Sequence, residues 1–401
     1  MSFELMNRLV FFYFVFFPWI AMAGLQPIHY QQQAFTYADQ QYVARVPQGY
    51  QLELLNSELD GPRLFQFADN GDLVIGSKSG HVYILEPPYR KARVLIELGD
   101  YPHSIAFRNQ EILIARTSGV YHAKFIPGQK RIKRRHLKLL AALPGGGGHS
   151  SRSIGIGPDG RLYAGLGIAG NCSDQYLGDE YPFIARRGGI FVLDEANQKA
   201  RWRAFGSGLR NPVGFDWHPQ TGMMYASNNG PDHLGYEIPP EYFSRVEENS
   251  FHGMPWFQFN GKAMVRDNCI AKQSPLPISK VVKPVLTFPA RNAPMGVAFV
   301  PSNSFDKDFE HDAIIALHGS WATKPDGNFF GSSASRRHPK IAIARFEKGV
   351  AKRMDDFISG FQLPNGDRWA RPIGVGFGPN GDLFFTSDGG AIEGLFRLRK
   401  N

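Results

Sequence analysis

Apolar and polar residues alternate with a period of two in short runs along most of this chain, and each run stops at a turn of Gly, Asn, Asp or Pro. Val213, Phe215 and Trp217 alternate ahead of the turn His218-Pro219-Gln220-Thr221-Gly222, and Met223 to Ser227 returns from it. Such runs predict half-buried strands joined by tight hairpins. The same unit recurs at Gly61 to Leu85, His103 to Phe125, Arg152 to Gly167 (third strand delayed to Gly189–Leu193), Ser207 to Ile238, Pro294 to His318 (closed by Ile341 to Phe346) and Arg371 to Leu398. Six copies of one strand–turn–strand unit predict radial repetition: an all-β, six-bladed β-propeller over residues 46–401. Tyr50 to Leu54 alternates as a further strand, residues 24–45 predict an extended arm packed on the ring, and Pro239 to Val246 is the best helix candidate.

Uneven spacing between the units is informative. Long insertions follow the third unit (Ile168 to Gly188), the fourth (Gly230 to Pro289) and the fifth (Gly319 to Lys340). In a propeller such loops gather at one mouth, where a small-molecule pocket is expected. Forty-four glycines, 28 prolines and 13% aromatic residues fit short strands and tight turns better than long helices. The net charge of +9 suits an anionic partner such as an acidic cofactor, a membrane surface or nucleic acid. Much of that charge lies in Lys130 to Lys138, where no aromatic residue interleaves. It reads as a solvated edge, and no nucleic-acid partner is expected.

Positions 1–23 predict an export signal: Arg8, an apolar core from Leu9 to Ile20, and Ala21-Met22-Ala23 as a cleavage site. An uncleaved anchor is the other reading, but Pro18 interrupts the run. The expectation is a periplasmic or secreted chain without stable membrane insertion. Cys172 and Cys269 are the only cysteines. In an exported chain they fit one disulfide or two free thiols, and they are too few for a cysteine-based metal site.

No HExxH, GxSxG or Walker motif occurs. His149 follows Gly145-Gly146-Gly147-Gly148 and is either a hydrogen-bonding loop residue or a general base. Arg210-Asn211-Pro212 is a structural turn or an anion grip, since a planar guanidinium holds a carboxylate in two places. Asn229-Gly230-Pro231-Asp232 is a plain turn or a set of carbonyls and a carboxylate for a hard cation such as calcium.

In order, these segments resemble the exported pyrroloquinoline quinone (PQQ)-dependent sugar dehydrogenases, the glucose/sorbosone dehydrogenase group, and most of all its sorbosone dehydrogenase-like branch. The carrying motifs are GLRNPVGFDWHPQTG at 208–222, LHGSW at 317–321 and RPIGVGFGPNGDLFFTSDGG at 371–390. HSSRSIGIGPDGRLY at 149–163 and LG-x-E-I-PPE at 234–241 support them, and the resemblance runs from about Tyr50 to the C-terminus. It implies oxidation of an aldose or aldehyde sugar by hydride transfer to the quinone, with electrons passed to an unspecified acceptor. Arg210, Asn211, Asn229, Lys340 and Arg371 would hold PQQ, His149 would be the base, and the carbonyls of Gly230 and Pro231 would bind calcium. Three positions depart from the glucose enzymes' pattern: Asn229 replaces a Gln, Ile373 a second Arg, and Tyr236-Glu237 an acidic pair. Those departures motivate the alternatives: a non-catalytic propeller binding glycans or protein partners through the same mouth and, more remotely, a calcium-dependent lactonase.

Overall fold

The computed structural model describes residues 25–178, 181–195, 200–302, 306–325 and 331–401, so the expected export signal lies outside the described residues. Six antiparallel sheets follow one another along the chain. Blade one consists of Pro62–Phe67, Leu73–Ser77, His81–Leu85 and Ala92–Glu97. Blade two is Ser104–Arg108, Glu111–Arg116, Gly119–Lys124 and Lys138–Ala142. Blade three is Arg152–Ile156, Leu162–Leu166, Gly189–Asp194 and Arg201–Ser207, with Ser250–Phe251 added in parallel at its edge. Blade four is Phe215–Trp217, Met224–Asn228, Glu241–Val246 and Leu286–Phe288. Blade five is Pro294–Phe299, Ala313–Leu317, Lys340–Glu347 and Val350–Ile358. Blade six takes Pro372–Phe377, Leu383–Ser387 and Gly394–Lys400 from the C-terminus and its outer strand, Tyr50–Asn56, from the start of the ring. The chain is a six-bladed β-propeller.

Inner strands meet around the axis at backbone distance, which explains their glycines. A Cβ on Gly214 would lie 2.1 Å from the Met295 carbonyl, one on Gly296 2.7 Å from that of Ile373, and one on Gly374 2.7 Å from that of Arg63. Side chains between blades supply the core. Leu113 and Ala115 of blade two pack with Ile154 and Leu162 of blade three, and Tyr225 and Phe243 of blade four with Phe299 and Phe346 of blade five. Because each sheet is covered on both faces, its middle strands read as continuous apolar runs.

Two local readings are corrected. Residues Tyr30–Tyr37 and Gln40–Pro47 form a hairpin, not a single extended arm; Ala38 and Asp39 turn it in the left-handed region. Its ring face docks through Phe35 and Tyr42 on Trp369, at centroid distances of 4.9 and 5.5 Å. Glu241–Val246 is a strand, not a helix. Five of its six residues are buried, so the period-two signal that marks a half-exposed strand is absent. The basic run lies beside blade two's outer edge, with a 3-10 turn at Arg134–His136 before Lys138–Ala142. No helix among the described residues is long and apolar enough to cross a membrane.

The insertions cover one end. Cys172 and Cys269 pair, joining the third unit's loop to the fourth's, with Cα atoms 5.5 Å apart. Tyr176 from the first loop packs with Phe251, Trp256, Phe257 and Val281 from the second as a small core of its own.

Candidate active site

Polar side chains stand where the inner strands begin, and they stitch neighbouring blades together. His103 Nδ1 lies 3.1 Å from the Arg152 carbonyl, Asn229 Nδ2 donates to the Pro294 carbonyl at 2.6 Å, and Arg63 pairs with Asp388 at 2.6 Å. The far ends of the same strands are aromatic: Phe67, Phe107, Trp217, Phe299 and Phe377 line a channel of about 470 Å³. None of the residues expected in the site faces that channel. The chemistry gathers at the other mouth, under the insertions.

His149 is held there by main-chain contacts. Gly148 lies in the left-handed region, where a Cβ would fall 2.0 Å from the Ala169 carbonyl, so only glycine fits before the histidine. Two guanidiniums clamp the glycine run. Arg187 donates to the carbonyls of Gly167 (2.7 Å), Gly147 (3.0 Å) and His149 (2.8 Å), and Arg152 to those of Pro144 (2.8 Å) and His149 (2.8 Å). The imidazole Nδ1 sits 2.6 Å from the Ile168 carbonyl. A carbonyl can only accept, so the ring proton is on Nδ1 and the lone pair on Nε2. Burial, then the Arg210 charge, push His149 down to about 4, so the ring is neutral at pH 7.

Arg210 and Asn211 adjoin it. A Cβ on Gly167 would touch both Asn211 Oδ1 (2.3 Å) and His149 Cβ (2.5 Å). The Arg210 guanidinium meets Asn171 Oδ1 at 2.7 Å, Asp232 Oδ2 at 3.1 Å and the Asn229 carbonyl at 3.4 Å. Asn229 spends its amide on the carbonyls of Pro294 and Asn211, tying blade four to blade five. The Pro231 carbonyl accepts from Arg291. On blade six, Arg371 donates to the His318 carbonyl at 3.1 Å and to His318 Nδ1 at 2.8 Å. Burial and the Arg371 charge keep His318 neutral, with Nε2 donating to the Asp388 carbonyl.

His149, Arg210, Asn211 and Asn229 are thus brought together, and Arg371 stands across the mouth beside Arg63. Lys340 is not brought to them: its ammonium is tied to Asp356 Oδ1 at 2.5 Å, beside a cavity of about 480 Å³ lined by Tyr236, Asn292 and His338. Sequence reading missed Arg63, Arg187, Arg291 and His318. Arg63 was findable. The pairing of Pro62 with Ser77 matches that of Pro372 with Ser387, so Arg63 holds in blade one the place of buried Ile373 in blade six. Arg187 and Arg291 lie in irregular insertions, where no repeat marks them.

A family described as TrAA12-like matches residues 258–400. An uncharacterized protein of Borreliella burgdorferi is 26% identical over 361 residues, covering 86% of this chain and 88% of that protein. Among solved structures, the iodide structure of Trichoderma reesei carbohydrate-active enzymes family AA12 superposes with a TM-score of 0.74 at 17% identity, over 89% of this chain and 97% of that one. The holo PQQ domain of pyranose dehydrogenase from Coprinopsis cinerea gives 0.69 at 17% identity, with the same coverages. The PQQ-bound aldose sugar dehydrogenase of Streptomyces coelicolor gives 0.59 at 15% identity, over 88% and 99%. What this chain shares with these structures is the propeller fold over nearly its whole length.

Proposed function

We propose that this protein is an exported PQQ-dependent sugar dehydrogenase acting on an aldose or aldehyde sugar. The observation that carries the reading is His149: a neutral imidazole with a fixed tautomer, its Nε2 lone pair free for a proton, beside the Arg210 guanidinium. The mouth also suits a polycarboxylate. Arg210, Arg371 and Arg368 are all pushed down by burial, and Arg368, with Arg371 and Arg336 beside it, falls to about 10. Crowded guanidiniums of this kind are relieved by an anion. PQQ, when bound, supplies the acceptor for the hydride from the sugar carbon. His149 Nε2 would take the hydroxyl proton while Nδ1–H, hydrogen-bonded to Ile168, steadies the imidazolium. An anion on Arg210 would offset the Arg210 charge, which comes second to burial among the causes that push His149 down. Trp321, 73% exposed within LHGSW, offers a flat apolar face to a pyranose ring.

The sorbosone-like branch rests on the motifs at 317–321 and 371–390, whereas two of the solved structures named above are a pyranose dehydrogenase domain and an aldose sugar dehydrogenase. Export rests on positions 1–23, with the disulfide in keeping with an oxidising compartment. A calcium ion at Gly230 and Pro231 would have to displace Arg291 to reach the Pro231 carbonyl.

The test is quinone uptake by the purified apoprotein, with and without calcium, followed by dye reduction on an aldose panel. His149→Ala is expected to lower turnover by ~10²–10⁴-fold with quinone uptake kept. Absence of quinone uptake under both conditions would sink the reading. A glycan-binding propeller would instead bind its sugar equally well with Ala at position 149.

A further inference from the structure

Arg291 lies in the crossing from blade four to blade five, 6% exposed. Its guanidinium reaches into the 229–241 loop. It donates to the carbonyls of Pro231, Asp232 (3.0 Å), Gly235 and Ile238 (3.4 Å), and it pairs with Asp232 Oδ1 at 3.2 Å. The other carboxylate oxygen of Asp232 meets Arg210 at 3.1 Å. Behind the loop Glu241 is 3% exposed, and its Oε2 has no hydrogen-bond partner among the described residues. Four main-chain carbonyls and one carboxylate converging on a point are the donor set of a hard cation. In this structure a side-chain cation fills that point.

We propose that Arg291 is the resident cation of the 229–241 loop, so that the mouth keeps its shape, and holds an anion, without a divalent ion at Pro231. Its functional sense rests on the quinone reading, but the identity of the cation can be measured independently.

Three physical reasons favour it. A planar guanidinium carries five N–H donors in a fixed fork, and two nitrogens of Arg291 serve all five oxygens: Nη1 donates to the Pro231 carbonyl and Asp232 Oδ1, and Nη2 to the carbonyls of Asp232, Gly235 and Ile238. A divalent ion at this point would face Arg210 and Arg291, which already share the Asp232 carboxylate, and would have to release Arg291 from five oxygens. A cation tethered to the backbone is also not lost to dilution or to a chelator.

The experiment titrates the purified full chain with terbium, a luminescent stand-in for calcium, and compares wild type, Asp232→Asn, Arg291→Met and the double variant Arg291→Met/Asp232→Asn. Wild type is expected to show no terbium site that Asp232→Asn removes. Arg291→Met should gain one site per chain with a dissociation constant of ~10⁻⁵–10⁻³ M, and the double variant should lose it. An Asp232-dependent site in wild type overturns the proposal, and so does a folded Arg291→Met that gains none. Should that variant fail to fold, wild-type quinone uptake in EDTA and in calcium decides. Equal affinity within about twofold is expected, and a calcium requirement of about tenfold or more overturns the proposal. If wild type takes up no quinone in either buffer, the dehydrogenase reading fails while the terbium comparison still decides the cation.

Discussion

Glu241 shows how much of this mouth is set by single buried groups. Burial lifts its carboxyl to about 8, against which Ala293 N–H and the charges of Arg210 and Arg291 only partly work. A folded-state value above the unfolded one favours the protonated, folded form. The stabilisation is therefore complete below about pH 4.5 and is lost as pH rises through about 8. Asp216 and Asp312, each pushed up by burial to about 6, act the same way over a lower window. Glu241→Gln keeps the shape and removes the titration. Thermal melts between pH 5 and pH 8 should show wild type losing stability relative to this variant, by about 1.4 kcal/mol for each step of one in pH. Parallel curves would count against the buried, protonated carboxyl. The placement of His149, Arg210, Asn211 and Asn229 at one end of the blades was legible in the sequence, because they sit in turns that open or close a strand. Lys340 was not, because a flexible ammonium goes to the nearest carboxylate, and Asp356 on the neighbouring strand captures it.

At the scale of elements, the insertions after the third and fourth units are tied to each other. The Cys172–Cys269 bond closes a segment of 97 residues, worth up to about 4–5 kcal/mol on loop-closure grounds. Cys172→Ser is expected to lower the denaturation midpoint by a share of that amount, and thiol reduction of wild type should reproduce the change. If neither moves the midpoint, the Tyr176–Trp256–Phe251 packing alone docks the loops. A single disulfide was one of two open readings from the count of cysteines. The third strand of blade four was mistaken for a helix for a physical reason: once neighbouring blades cover both faces, hydrophobic periodicity no longer separates strand from helix. The N-terminal hairpin was likewise read only as extended, since Ala38-Asp39 is a weak turn signal.

For the whole molecule, the number of blades could be read from six recurring units, but the way the ring shuts could not. Tyr50–Asn56 pairs with Gly394–Lys400 in a register that sets Lys400 against Tyr50, and no local pattern announces a partner so distant in sequence. Ion pairs back the seam: Arg397 meets Glu53 at 2.7 Å and Asp382 at 3.4 Å. Removing residues 394–401 deletes a middle strand of blade six and leaves Tyr50–Asn56 without its ladder. Calorimetry of that truncated chain is expected to show a broad transition or none, and a sharp transition near the wild-type midpoint would mean that the seam is dispensable. The same feature orders events in the life of the chain. Tyr50–Asn56 must wait, its edge bare, until Gly394–Lys400 has been made, so the nascent ring stays an open ribbon up to that point.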